Sequence, residues 1–343
     1  MDAGKGALRS MTDPLKIVVL GSNSFSGASF VDFALGQGAK VYGLSRSPEP
    51  HAAFLPYRWS GLDQNFKFYA YDINKHLDEI LSLVVTERPD YFVNFAAQSM
   101  VGQSWEHPED WFRTNALSTV SLHNRLRKYY DGLKRYVHIT TPEVYGSTDG
   151  WITENTPYNP STPYAVSRAA GDMSLKTFVD AYGFPAVSTR AANVYGPGQP
   201  LYRIISRCIL YIRLGKKLQL DGGGHSVRSF IHIKDVCDAT WKVMTDGKIG
   251  ETYHISTTTT ISIRNLVERI CEKMNVEFDD VAEVVGERLG KDAAYMLDST
   301  KIRETLGWSD KITLDQGIDE CIAWLDENLE ELKQQEFNYI HKP

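Results

Sequence analysis

Ile17-Val18-Val19-Leu20-Gly21-Ser22-Asn23-Ser24-Phe25-Ser26-Gly27 is the stretch that decides the fold of this chain. Its apolar start spells a short buried strand, and the glycines that follow permit a tight turn into a helix. Such a turn presents free N–H groups at the helix N-terminus, where the peptide dipoles stabilise an anion. In the full G-x-x-G-x-x-G pattern the middle position is glycine; Ser24 occupies it here. A plain tight turn uses the same residue types, so position carries the argument. In the first strand-helix unit of an alternating chain, Gly21, Ser24, Phe25, Ser26 and Gly27 are placed to cradle a dinucleotide pyrophosphate.

Outward from that turn, short apolar runs alternate with amphipathic stretches. Strands are expected at 17–20, 41–44, 66–70, 91–94, 136–139 and 186–190, with helices at 30–36, 77–86, 110–129 and 165–181 between them. This is the pattern of an α/β fold, a doubly wound parallel sheet of Rossmann type, with its ligand across the carboxyl ends of the strands. After Pro197-Gly198 the rhythm changes to a helix at 204–214, a Gly-rich turn at 222–224 and shorter elements. Residues 15–190 are therefore read as a dinucleotide-binding domain and 191–343 mainly as a smaller mixed α/β substrate-binding region, some of whose segments return to the first domain. Residues 1–14, small and polar at their start, are read as a flexible extension.

Composition narrows the class further. With 343 residues and a net charge of −6, the chain has ample material for a core and no general attraction for nucleic acid or an anionic membrane. No run approaches the ~18 apolar residues of a membrane span, and no signal-peptide core is visible, so a cytoplasmic location is expected. Cys208, Cys237, Cys271 and Cys321 are scattered within helix-like apolar patterns and read as reduced core residues. No histidine or cysteine spacing suits a metal, and His138, in a strand, reads as a core histidine.

At the end of the second strand, where a carboxylate would bind the ribose hydroxyls of NAD, the chain has Ser45 and Arg46. An arginine fork suits the 2′-phosphate of NADP, which favours NADP over NAD; a solvated surface arginine is the alternative. Asp72 follows the third strand and suits the adenine amino group. Ala96 and Ala97 follow the fourth and let a cofactor lie close to the backbone.

Two further strings carry chemistry. Thr141-Pro142-Glu143-Val144-Tyr145-Gly146 follows the fifth strand, and Tyr164-Ala165-Val166-Ser167-Arg168 opens the next helix. A tyrosine and a cation four residues apart share one helix face, where the positive charge lowers the phenol pKa toward a usable base. Capping by Thr141 and Glu143, or surface packing by Tyr164 and Arg168, would use the same residues; their joint placement behind a dinucleotide turn favours catalysis.

Together these strings resemble the extended short-chain dehydrogenase/reductase family, and within it the nucleotide-sugar 4,6-dehydratases. The resemblance runs from about residue 16 to 324 and includes Arg190-Ala191-Ala192-Asn193-Val194-Tyr195-Gly196-Pro197-Gly198-Gln199, Arg228, and Arg288 ahead of Leu306-Gly307-Trp308. It implies that Tyr164 takes the proton of the sugar 4-hydroxyl as hydride leaves C4 for the nicotinamide. Thr141 would hydrogen-bond the 4-oxygen, and Glu143 would abstract the C5 proton. Loss of the C6 hydroxyl and return of the hydride to C6 then give an NDP-4-keto-6-deoxyhexose, the cofactor staying bound and recycled within each turnover. By the same resemblance Gln98, Ser99, Ser104, Asn193, Arg203, Arg228 and Arg288 would bind the nucleotide sugar; salt-bridge or turn roles are the alternatives for the arginines and for Asn193. A homodimer through a four-helix bundle is implied too.

The chain departs from the family twice. Arg168 stands where lysine is usual, keeping the charge but not the shape. Pro142 stands where the dTDP-glucose enzymes carry an aspartic acid that protonates the departing hydroxyl, and proline donates no proton. A 4-epimerase or UDP-uronate decarboxylase remains the alternative activity, although glutamate at 143 is not usual in the epimerases. A noncatalytic NADP- and nucleotide-sugar-binding regulator is the alternative from another class.

Overall fold

The computed structural model describes residues 14–286 and 295–343. Seven parallel strands form the central sheet: β1 (Lys16–Leu20), β2 (Lys40–Leu44), β3 (Phe66–Tyr69), β4 (Tyr91–Asn94), β5 (Arg135–Ile139), β6 (Ala186–Ala191) and β7 (Thr252–Ile255), in the order β7-β6-β5-β4-β1-β2-β3. The order reverses at β1, which sets a crevice beyond the carboxyl ends of β1 and β4. The strands are continuous apolar runs because helices cover both faces. Ile17, Val19, Val41, Val93 and Val137 face one core, while Val18, Leu20, Tyr42, Phe92 and Tyr136 face the other.

Helix α1 (Phe25–Gly36) covers the first of these faces; α2 (Leu77–Glu87), α3 (Thr119–Tyr129) and α4 (Pro163–Tyr182) cover the second through Ile80, Val84, Leu122, Leu126 and Leu175. A separate core joins α5 (Ile204–Arg213), α7 (Ile263–Met274) and α8 (Leu314–Glu327) through Ile205, Ile209, Leu266, Ile270, Ile318 and Leu325. Between them in the chain, α6 (Ile233–Asp246) returns to the first core with Ile233, Val236 and Val243.

Three elements differ from the expectation. Helix α1 starts at Phe25 rather than at residue 30, because the Ser24 side chain accepts a hydrogen bond from Gly27 N at 3.1 Å and starts the helix inside the turn itself. The expected strands number six; β7 is the seventh, pairing in parallel with β6 from Thr252↔Ser188 to Ile255↔Ala191. The stretch expected as one helix at 110–129 begins at Pro108 and passes through a π-helical turn, Arg113–Ser118.

That π turn does positional work. It aims Asn115 at the loop after β4, where Oδ1 accepts from Gln98 N at 2.9 Å and Nδ2 donates to Gln98 O at 2.9 Å and Ser167 Oγ at 3.0 Å. Helix α4 approaches so closely that a Cβ at Gly171 would stand 2.7 Å from the Asn115 carbonyl oxygen. The π turn thus ties the loop after β4 to the helix that carries Tyr164.

Candidate active site

Tyr164 and Arg168 lie one turn apart on α4, which is started by Thr162, whose hydroxyl accepts from Ala165 N at 3.1 Å, with Pro163 in the first turn. Thr141 starts a short 3₁₀ turn, Pro142–Tyr145, at the end of β5 and accepts from Glu143 N at 3.2 Å. Both turns bring their side chains to one buried place: Thr141, Glu143, Tyr164 and Arg168 are all buried. The Thr141 hydroxyl and the Glu143 carboxylate are both close enough to act on the Tyr164 phenol.

Burial raises the Tyr164 pKa above its ordinary value; the Arg168 charge and the Thr141 hydroxyl oppose that rise, Glu143 adds to it, and Arg203 opposes it. Nearby positive charge is thus what favours the phenolate needed for a base. Arg168 supplies such charge while its Nη2 donates to the Ile139 carbonyl at the end of β5. It is thus fixed against the sheet.

Tyr295 lies close by: burial first, then the Glu143 charge, holds its pKa well above the ordinary value. The Arg228 charge opposes that rise, so Arg228 lies near Tyr295 as Arg203 lies near Tyr164. Tyr295 and Asn115 were not among the sequence candidates. Neither lies in a motif: Tyr295 precedes a two-residue strand, Met296–Leu297, that pairs with Trp151–Ile152 far away in the chain.

Behind the trio lies a buried polar cluster. Asp172 on α4 accepts from Thr140 Oγ1 at 2.7 Å and from Arg190 Nη2 at 2.9 Å, and Arg190 also donates to the Tyr145 and Tyr158 hydroxyls. His138 Nε2 lies 3.2 Å from the other Asp172 oxygen. Burial works against the Asp172 carboxylate, but His138 and the Arg190 charge outweigh it and hold its pKa far below the usual range. His138 is pushed down by burial and stays neutral, a core histidine as its strand position suggests.

A cavity of about 700 Å³ opens at the carboxyl ends of the strands, lined by the turn after β1, the ends of β2 and β4, and residues from 335 to 342. The volume is that of a small-molecule site. Gly21 has a φ of +85°, and a Cβ there would stand 2.7 Å from Ala96 N, so only glycine brings the turn this close to the β4 loop. The α1 N-terminus opens there with Phe25 and Ser26 in its first turn, whose N–H groups have no intrahelical acceptor. This cradle fits a dinucleotide pyrophosphate.

Gly21, Ser24, Phe25, Ser45, Arg46, Asp72, Ala96, Ala97 and Gln98 all line this cavity. Gln98, expected to bind the nucleotide sugar, lies on the wall of this cavity, where Asn115 holds its main chain. Ser26 follows Phe25 in the first turn, and Gly27 is buried behind it. Ser104 is fully buried with its hydroxyl donated to Val101 O at 2.6 Å, while Ser99 is exposed. Asn193 donates to Ser229 O at 3.2 Å. Arg288 lies outside the described residues.

A switch-point cradle on a parallel sheet, together with a buried group of tyrosine, threonine and glutamate, defines a dinucleotide-dependent enzyme of the extended short-chain dehydrogenase/reductase class. Residues 18–321 match the family model described as GDP-mannose 4,6 dehydratase, and the chain belongs to that family of nucleotide-sugar 4,6-dehydratases. It is 33% identical over 322 residues to dTDP-glucose 4,6-dehydratase of Streptomyces niveus, covering 92% of this chain and 94% of that one. Among solved structures, it resembles dTDP-glucose 4,6-dehydratase from Bacillus anthracis in complex with NAD, with a TM-score of 0.82, 29% identity, and coverage of 92% and 98% of the two chains. It also resembles UDP-glucose 4-epimerase of Thermotoga maritima with UDP-glucose, with a TM-score of 0.81, 25% identity, and coverage of 92% and 100%.

Proposed function

We propose that this protein removes water from a nucleotide-activated hexose to give an NDP-4-keto-6-deoxyhexose, with Tyr164, Thr141 and Glu143 performing the chemistry. The observation that carries the reading is Glu143, a buried carboxylate close enough to Tyr164 and Tyr295 to raise the pKa of both. An epimerase needs only the C4 step, whereas elimination needs a base at C5 as well. A bound nicotinamide dinucleotide supplies a reversible hydride store, filled from C4 and emptied to C6. Tyr164 takes the 4-hydroxyl proton, with Thr141 holding that oxygen. Glu143 then removes the C5 proton, acidified by the C4 ketone, and passes it to the C6 hydroxyl, which leaves as water. Pro142 offers no proton, so Glu143 serves as both base and acid. C5 regains its proton from solvent.

On the substrate side, Arg203 and Arg228 are suited to the pyrophosphate of the nucleotide sugar; Asn193 borders them, and Arg288 keeps the same role by family resemblance. The finer choice of cofactor turns on Arg46. With Ser45 in place of an acid, a free Arg46 supports NADP; the NAD in the Bacillus anthracis relative supports NAD. Arg168→Met separates the dehydratase from a noncatalytic binder. Losing the charge that opposes burial raises the Tyr164 pKa further, so the limb of kcat/KM that rises with pH moves to higher pH. A binder shows no turnover at any pH.

A homodimer is supported by the exposed apolar residues of the two long helices. Leu117 is 66% exposed and Met173 62%, and Phe112, Val166 and Tyr182 are exposed with them. The doublet Leu117→Glu with Met173→Glu is expected to halve the mass measured by light scattering. An unchanged mass would place the dimer elsewhere.

A further inference from the structure

Residues 335–343 cross the dinucleotide cavity as a strap held by side chains from both halves of the molecule. Arg46 Nη1 donates to Lys342 O at 2.9 Å and Pro343 O at 3.0 Å, and Gln98 Nε2 donates to Lys342 O at 2.6 Å. From the substrate half, Arg207 Nη2 donates to Phe337 O at 2.9 Å, and the Tyr202 ring meets Tyr339 edge-on at 5.7 Å. His341 is the firmest attachment. Its ring stacks on His107 at 4.7 Å and on Trp111 at 5.1 Å, and its Nε2 lies 2.8 Å from Asp110 Oδ2.

Arg46 is the cation placed to read a 2′-phosphate, yet it is turned toward two main-chain oxygens of the strap. A 2′-phosphate, dianionic near neutral pH, needs that guanidinium; a 2′-hydroxyl does not. Asp72 and Glu336 also line the cavity, as does Lys342, and Glu49 there is already paired with Arg58 at 2.9 Å. The strap forms part of the cavity wall and leaves about 700 Å³ open, so it narrows the site without filling it.

We propose that residues 335–343 select the cofactor: docked, they occupy Arg46 and leave a site for NAD; displaced, they free Arg46 for the 2′-phosphate of NADP. This rests on reading the cleft as a dinucleotide site and not on which sugar is turned over.

The test is fluorescence titration with NADH and NADPH, without any sugar, of the full chain, a variant lacking residues 335–343, His341→Ala, and the deletion combined with Arg46→Ala. The full chain binds NADH at least tenfold more tightly than NADPH. Deletion or His341→Ala narrows that ratio at least tenfold through a gain in NADPH affinity, and Arg46→Ala cancels the gain. Should the deletion fail to fold, His341→Ala carries the same comparison. A full chain preferring NADPH, equal changes for both dinucleotides, or a gain that survives Arg46→Ala overturns the strap's role. Binding of neither dinucleotide by any form overturns the reading of the cleft, and the proposal with it.

Discussion

Glu143→Gln is expected to lower turnover by about 10²- to 10⁴-fold, the range that a positioned acid-base group contributes. Glutamine keeps the shape and volume of the buried side chain, so packing of the site is preserved. It cannot accept the C5 proton or pass one to the C6 hydroxyl. Because Tyr164 and Thr141 are untouched, oxidation at C4 persists, and the absorbance of reduced nicotinamide builds up in a single turnover instead of decaying. Binding of dinucleotide and nucleotide sugar stays within about twofold, which separates lost chemistry from lost affinity. Turnover within tenfold of the parent, or loss of binding in parallel with rate, would remove Glu143 from the role of base.

The second large effect concerns stability. Asp172→Ala leaves the Arg190 guanidinium, 1% exposed, without its carboxylate and leaves the Thr140 hydroxyl without its acceptor. Removing one partner of a buried ion pair costs about 3–5 kcal/mol, which urea unfolding would read as a lowered midpoint. Asp172→Asn keeps the volume and tests the charge alone. The folded-state pKa of Asp172 is depressed, so its contribution is fully present above the unfolded carboxylate value of about 3.9 and is lost as pH falls toward the folded value. The gap between parent and Asp172→Asn should therefore close on acidification below about pH 4. A pH-independent gap would assign the cost to packing and not to charge.

Much of this was legible in local sequence. The β1 run and its glycine turn announce themselves because buried parallel strands are apolar on both faces, and the close approach at Gly21 tolerates no side chain. Tyr164, Thr141 and Glu143 were readable because each sits at a fixed distance from a strand end or along one helix face. The rest depends on contacts distant in sequence. Strand β7 joins the sheet only through its pairing with β6, more than sixty residues earlier. The π turn at Arg113–Ser118 leaves the apolar spacing of its helix largely intact while changing where Asn115 points. Tyr295 lies near Glu143 across 151 intervening positions, and the strap meets Arg46 across nearly the whole chain. Arg46 shows the limit most clearly: its residue type suggests a phosphate partner, and only the fold reveals that the chain's own carbonyls hold it.

The most direct test of the account is to incubate the purified protein and its cofactor with a panel of NDP-hexoses in heavy water and weigh each nucleotide sugar by mass spectrometry. The account predicts, for one of them, a product lighter by one water that carries one solvent deuterium at C5. A product of unchanged mass and inverted C4, or loss of carbon dioxide from a UDP-uronate, would contradict it.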